Sequence, residues 1–339
     1  GNHSVIKSPD EYSLSVQTGR GPKEFQFDQV FTEESTQEKV FEDTFNLIQS
    51  AVDGYNVCIF AYGQTGSGKT FTMIGDKEQK FPGIAPRAME RIFSVINENK
   101  GKFSFKVSVY MMELYNDRLI DLLAENSAVD AKLDIKKDKK GLVFVQGANV
   151  LDANDSKSLY EIFEKGSENR HVASTKMNSE SSRSHLILSI IIESTNKTTG
   201  SVLKGKLSLV DLAGSERASK TQASAEQLKE AQSINKSLSA LGDVISALSS
   251  EQAFIPYRNN KLTMLMQDSL GGNAKTLMFV NISPADYNTD ETVTSLTYAS
   301  RVKLITNDAS KNTENKEIVR LKGIIAKLKQ GEAVDDEEQ

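Results

Sequence analysis

Residues 63–70 read Gly-Gln-Thr-Gly-Ser-Gly-Lys-Thr, the G-x-x-x-x-G-K-T pattern, and no other stretch limits the possible folds as tightly. The apolar residues before it (57–61) predict a buried strand, and the residues after it predict a helix. A strand, a Gly-rich loop and a helix in that order turn backbone N–H groups inward around phosphate oxygens. Gly63, Gln64, Thr65, Gly66, Ser67 and Gly68 form the cradle, Lys69 neutralises the β and γ phosphates, and the Thr70 hydroxyl can ligate Mg²⁺. An accidental Gly-rich turn would not need this setting on both sides.

Two further segments supply what such a loop lacks. Asp211-Leu-Ala-Gly214 ends an apolar run, and an acid at the tip of a buried strand is where a Mg²⁺-coordinating carboxylate belongs. Gly214 can bring its N–H near a γ-phosphate without a Cβ clash. Asn178-Ser-Glu-Ser-Ser-Arg-Ser-His185 is a dense run of hydroxyls before another apolar strand. Read as a switch loop, it brings Ser181 and Ser182 toward Mg²⁺ and the attacking water, and Arg183 pairs with Glu216 to close the site. No base strong enough to deprotonate water is evident; phosphoryl transfer needs mainly positioning and charge stabilisation. The guanine-reading Asn-Lys-x-Asp pattern is absent, which favours ATP over GTP.

Around these segments the pattern alternates. Strands are expected at 57–61, 105–113, 187–192, 207–212 and 277–282, and short strands with turns within 1–35, where Tyr12, Leu14 and Val16 alternate. Helices are expected at 37–53, 85–96, 156–170, 226–248, 260–270 and 290–305. Such alternation implies a layered α/β domain around one sheet.

The single cysteine, Cys58, lies in an apolar run and reads as a buried inert thiol. No stretch has the roughly 18 apolar residues that span a membrane, and no signal sequence opens the chain, so a cytosolic protein is expected. The net charge of −5 is matched by five acids among the last eight residues, so the body is neutral. A nucleic-acid binder usually carries a basic domain, and this chain does not.

The stretches 61–70, 181–185 and 211–216, with Asn235-Lys-Ser-Leu238, Pro256-Tyr-Arg-Asn259 and Lys261-Leu-Thr263, together resemble the kinesin motor domain, in family order from about Phe27 to Asn307. The resemblance implies a mixed central sheet with three helices on each face, Mg²⁺-ATP as cofactor, and hydrolysis coupled to force on microtubules in the cytoplasm. It implies a tubulin face on the segments around 217–248 and 257–270, with Lys236, Arg258 and Lys261 as contacts. The resemblance also places Lys136 and Lys137, in a hairpin-like basic stretch, on the same side, where exposed cations would steer and hold acidic tubulin. The alternatives are a non-motile microtubule binder with impaired turnover, and a non-cytoskeletal phosphate-loop switch.

The family usually begins with a strand ending in Arg-x-Arg-Pro, and here Gly1-Asn2 runs straight into His3-Ser4-Val5. Taken literally, this removes a strand beside the phosphate-loop strand and leaves a hole in the sheet. Adenine contacts would then fall to groups such as Phe71.

The wording around Tyr298-Ala-Ser-Arg-Val302 and residues 50–58 and 237–244 is most similar to the C-terminal-motor kinesins, in particular the calmodulin-binding ones. That implies minus-end movement, with any dimerising coiled coil outside this chain. The expected division is a motor domain over 1–307, a link and basic helix over 308–330, and a disordered acidic tail over 331–339. In that helix Ile318, Leu321, Ile325 and Leu328 are spaced 3-4-3 among basic residues, as in a target for a calmodulin-like Ca²⁺ sensor at 315–330. It has no aromatic anchor, and a docked helix or a coiled-coil start is the plainer account.

Overall fold

The computed structural model describes residues 3–125, 132–170, 182–217, 224–311, 313–314 and 316–331. The strands are β1 (Ile6–Lys7), β2 (Ser13–Thr18), β3 (Gly21–Gln26), β4 (Asn56–Gly63), β5 (Phe103–Tyr115), β6 (Arg118–Asp121), β7 (Asp134–Lys137), β8 (Val143–Gln146), β9 (Leu151–Ala153), β10 (His185–Asn196), β11 (Val202–Asp211), β12 (Lys275–Asn281) and β13 (Thr313–Glu314). The helices are α1 (Gln37–Glu42), α2 (Phe45–Val52), α3 (Lys69–Met73), α4 (Ile84–Asn99), α5 (Ser156–Glu168), α6 (Ala225–Ser249), α7 (Lys261–Leu265), α8 (Thr289–Val302) and α9 (Lys316–Lys329).

The main sheet runs β12-β4-β11-β10-β5-β6, with β9 on β5 and β13 on the start of β11. Strand β4 is parallel to both neighbours, and the pairs from β11 outward to β6 are antiparallel, so the sheet is mixed. Every residue of β4 is buried, as expected for a strand covered on both faces. Its side chains alternate between two cores. Val57, Ile59 and Ala61 join α2, α4 and α5 on one face. Cys58, Phe60 and Tyr62 join α6, α7 and α8 on the other. The β7–β8 hairpin packs on this second face through Leu133, Ile135 and Val145. The small β1–β2–β3 sheet closes the end of α8 through Leu14, Val16, Phe25 and Leu296.

The structure corrects the sequence reading at four places. The sheet has no hole beside the phosphate loop, because β4 is paired on both sides; the open edge is β12, one strand further out. The expected helix over 37–53 breaks at Asp43 and Thr44. The Thr44 hydroxyl donates to the Phe41 carbonyl at 2.7 Å and competes with the helical ladder. The helix expected at 260–270 stops after Leu265, and the chain turns so that Asp268 enters the interior. Tyr12, expected to alternate inward with Leu14 and Val16, is exposed. The segment after α8 stays docked: Asp308 N–H donates to the Gly272 carbonyl at 3.2 Å, and Thr313–Glu314 pair with β11.

Candidate nucleotide site

The C-terminal ends of β4 and β11 lie side by side, with Asp211 opposite Ala61 in the register. That places the phosphate loop directly beside the turn after Asp211. Gly66 and Gly68 hold φ of 82° and 95°, which a residue with a Cβ adopts only at a cost, so the cradle depends on glycine there. The Ser67 hydroxyl donates to the Gln64 carbonyl at 2.6 Å and fixes the loop from inside.

Lys69 is 5% exposed and Asp211 is 3% exposed. Burial pushes the Lys69 amine below its usual range, offset in part by Asp211 and Glu216. Burial likewise pushes the Asp211 carboxyl up, offset by Lys69 and Arg170. Both groups are thus held in a place where their charged forms need a partner. The Thr70 hydroxyl donates to Asp211 Oδ2 at 3.2 Å. Asp211 Oδ1 is buried and has no hydrogen-bond partner among the described residues. A hydroxyl, a carboxylate with an unused oxygen and a buried ammonium fit a hard cation next to an anion.

Glu216 lies elsewhere than expected. Its carboxylate accepts from the Thr65 N–H at 2.8 Å and from the Thr65 hydroxyl, so its described hydrogen bonds run to the phosphate loop and not to Arg183. A Cβ at residue 214 would overlap both the Thr65 hydroxyl and the Glu216 carboxylate, so Gly214 is what allows the turn to fold back. Gly214 N–H donates to the Ser182 carbonyl at 3.1 Å, and Ser215 N–H donates to the Gly63 carbonyl at 3.0 Å. Ser182 is buried at this junction and Arg183 is half-buried. Ser181 lies outside the described residues. Phe71 is 45% exposed, with its ring 6.4 Å from Phe81, on the rim of the loop.

Three groups at the site were not anticipated from the sequence. Arg170 reaches back from the end of α5. Its Nε and Nη2 donate to the Ser184 hydroxyl at 3.1 Å and the Ser184 carbonyl at 2.9 Å, and it pairs with fully buried Glu113 at 3.4 Å. Asn281 Nδ2 donates to the Thr72 hydroxyl at 3.1 Å, tying β12 to α3. His185 sits between the Asp211 turn and α6. An Arg-Glu pair set 57 positions apart carries no local pattern, and only the tertiary fold makes it visible.

The α6–α7 side of the sheet carries a group of exposed basic residues. Lys229 and Lys236 on α6, Arg258 before α7, Lys261 at its start, and Lys136 and Lys137 on β7 are all exposed. Because β7, α6 and α7 share one core, these cations stand on one face. Lys261 Nζ also donates to the Asp117 carbonyl at 3.1 Å, which holds its stem against the β5–β6 turn. On α9, Leu321, Ile325 and Leu328 are 44%, 51% and 61% exposed.

Comparison with known proteins bears on this arrangement. The Kinesin motor domain family profile matches residues 2–305. Kinesin-like protein KIN-14I of Oryza sativa subsp. japonica is 58% identical over 328 residues, 96% of this chain and 26% of that protein. Kinesin-like protein KIN-14E of Arabidopsis thaliana is 58% identical over 317 residues, 94% of this chain and 25% of that protein. The chain therefore spans about a quarter of the length of these curated relatives. A solved structure of a fast kinesin, described with its implications for ATPase mechanism and interactions with microtubules, superposes with a TM-score of 0.84 at 40% identity. The match covers 93% of this chain and 89% of that one.

Proposed function

This chain belongs to the kinesin motor family, and on that premise we propose that it is a microtubule-stimulated ATPase that turns hydrolysis into force directed toward the microtubule minus end. The observation that carries the nucleotide half of this reading is half-buried Thr70 bonded to buried Asp211, which has one carboxylate oxygen left over, set beside Lys69. Thr70, Ser182 and Asp211 are the residues that would hold Mg²⁺. When bound, the ion supplies charge neutralisation on the phosphate oxygens. The protein's own contribution is positional. The loop backbone from Gly63 to Gly68 binds and orients the phosphates. Lys69, whose burial disfavours its charged form, is the cation that an arriving phosphate would stabilise. Glu216 is held on Thr65 in this structure, so engagement of Arg183 requires it to leave the loop. That exchange would make closure depend on the state of the site.

The microtubule half rests on the exposed cations of one face, Lys136, Lys137, Lys236, Arg258 and Lys261, which match an acidic filament in sign. Direction is supported by the likeness to the two plant KIN-14 proteins. ATPase rate measured with and without microtubules tests the whole: strong stimulation is expected, and an indifferent rate removes the motor reading. The domain reading is a motor body over 1–307, with the link and helix over 308–330 as its regulatory appendage. An apolar stripe on a basic helix supports a calmodulin-like Ca²⁺ sensor as the partner of residues 315–330. The expected result is that such a sensor, loaded with Ca²⁺, weakens microtubule affinity of the full chain and leaves a chain ending at Lys311 unaffected. Equal affinities with and without the sensor would leave α9 a structural helix.

A further inference from the structure

His185 is fully enclosed where the nucleotide turn meets α6, and its hydrogen bonds fix its chemistry. The Ala213 N–H donates to His185 Nδ1 at 2.9 Å, so Nδ1 carries no proton. Burial holds the ring far below its usual range, at about 3, and so neutral. The proton therefore sits on Nε2, which donates to the Ser237 hydroxyl at 2.7 Å. The Ser237 hydroxyl in turn donates to the Ile234 carbonyl at 2.9 Å, one turn back on the same helix. Each donor in this chain has one acceptor, and the polarity runs one way, from the Ala213 amide to the backbone of α6.

Both ends of this chain matter. Ala213 lies between Asp211, with its unused oxygen, and Gly214, whose N–H is bonded to Ser182. Ser237 is buried, and Lys236 beside it is exposed on the basic face. Neighbouring residues on α6, about 100° apart around the helix, thus face different sides, one toward the Asp211–Gly214 turn and one toward solvent. A small shift or rotation of α6 cannot leave the Ser237–His185 distance unchanged, and the rigid ring passes the displacement to the Ala213 amide.

We propose that His185, held between Ala213 and Ser237, is a positioning residue that transmits the setting of α6 to the Asp211–Gly214 turn, so that tubulin contact on α6 adjusts the nucleotide site through one imidazole. This rests on the reading that α6 faces tubulin. His185 touches no nucleotide group itself; it acts through the backbone of residue 213.

The test uses Ser237→Ala, which deletes one hydroxyl and keeps the helix. Basal ATPase and microtubule affinity are expected to stay within about twofold of wild type. The microtubule-stimulated kcat is expected to fall about fivefold, the size of one lost neutral hydrogen bond. His185→Asn should lower the stimulated kcat at least as far, and the double variant should be no worse than the worse single one, because both interrupt one path. Equal losses in basal and stimulated rates would mean a merely structural role and would overturn the proposal. So would full stimulation in Ser237→Ala, while leaving the motor reading intact. A wild-type chain without any stimulation would instead remove the motor reading and the relay together.

Discussion

The two faces of the central sheet are built differently. On the face of α2, α4 and α5 most contacts are between aliphatic and aromatic side chains such as Ile92, Met111, Leu159 and Leu188, and the buried Arg170–Glu113–Ser184 cluster sits at its nucleotide-site end without reaching the basic surface. The face of α6, α7 and α8 has an apolar core of similar kind, but polar links thread it from edge to edge. His185 joins the nucleotide turn to α6. Tyr115 donates to buried Glu230, nearer the start of α6. Lys206 pairs with Asp268 at 2.8 Å and also donates to the Val143 carbonyl at 3.0 Å, and Asp268 accepts from the Val143 N–H at 2.8 Å. That last node ties β11, the β7–β8 hairpin and the turn after α7 together. An apolar contact tolerates sliding, whereas a hydrogen bond in a dry interior is directional and costly to leave unmade. The first face is a scaffold, and the second carries position between the nucleotide turn and the basic surface.

The largest effect should come from the site itself. Lys69→Ala is expected to lower nucleotide affinity by about a hundredfold or more, as removal of a buried charge partner costs about 3–5 kcal/mol. Its folded chain should also lose some stability, because Asp211 is left buried without the cation that offsets its burial. Calorimetric titration with a non-hydrolysable nucleotide and a thermal melt together read this. Leu159→Ala is the counterpart on the scaffold face, expected to cost about 2–5 kcal/mol of stability while nucleotide affinity stays unchanged. If both substitutions altered affinity alike, the distinction between the faces would fail.

Asp268→Ala is next. It strands Lys206 in the interior and should destabilise by about 3–5 kcal/mol in denaturant unfolding. Replacing both partners, Lys206→Met with Asp268→Leu, should restore much of that stability, since well-packed apolar groups often substitute for a buried pair. If the node carries position, the double variant should still show reduced microtubule stimulation. Full stimulation in a stable double variant would reduce the node to packing.

His185 also gives the second face a pH signature. Its folded value, about 3, lies below the unfolded value of about 6.5. The native state therefore binds fewer protons than the unfolded state in this window. The stability from the neutral ring is fully present above about 6.5 and is lost as pH falls toward 3, by about 1.4 kcal/mol per pH unit. Denaturant midpoints for wild type and His185→Asn between those limits should diverge at high pH and converge at low pH. Parallel curves would show that the ring is not held neutral.

Much of this arrangement was legible in the sequence, and the reason is local. The phosphate loop, Asp211 and the strands around them announce themselves by residue type and spacing within one segment. The three-helix division of each face follows the resemblance and is met by α2, α4 and α5 against α6, α7 and α8. What sequence could not give are relations across segments. Glu216 was expected on Arg183, but Thr65 offers an N–H and a hydroxyl close by, and Gly214 leaves room to reach them. The location of the open sheet edge depends on strand order, which no single strand encodes; only pairing shows that β12 lies between β4 and solvent. Arg170, Glu113 and Ser184 form one buried cluster from three distant segments. The break before Phe45 turned on one threonine hydroxyl finding a carbonyl, a competition that periodicity does not register.

The smallest expected effect is also the most direct check on which surface meets the filament. Lys136 on β7 and Lys157 on α5 are both exposed lysines, and Lys157 makes only a loose contact with Glu161 at 4.0 Å. They differ in the face they occupy. An exposed charge facing an acidic partner contributes about 1 kcal/mol or less, because water and salt screen it. Lys136→Ala should therefore weaken microtubule affinity by about two- to fivefold at low ionic strength. The loss should shrink toward nothing as the Debye length falls from about 30 Å at 0.01 M to about 8 Å at 0.15 M. Lys157→Ala should change affinity at neither salt, because α5 packs on the scaffold face and points its lysine away from the basic surface. Co-sedimentation with microtubules at the two ionic strengths separates the cases. A matching loss in both variants would mean that only net charge is sensed, and that the α6–α7 face has no privileged contact with the filament.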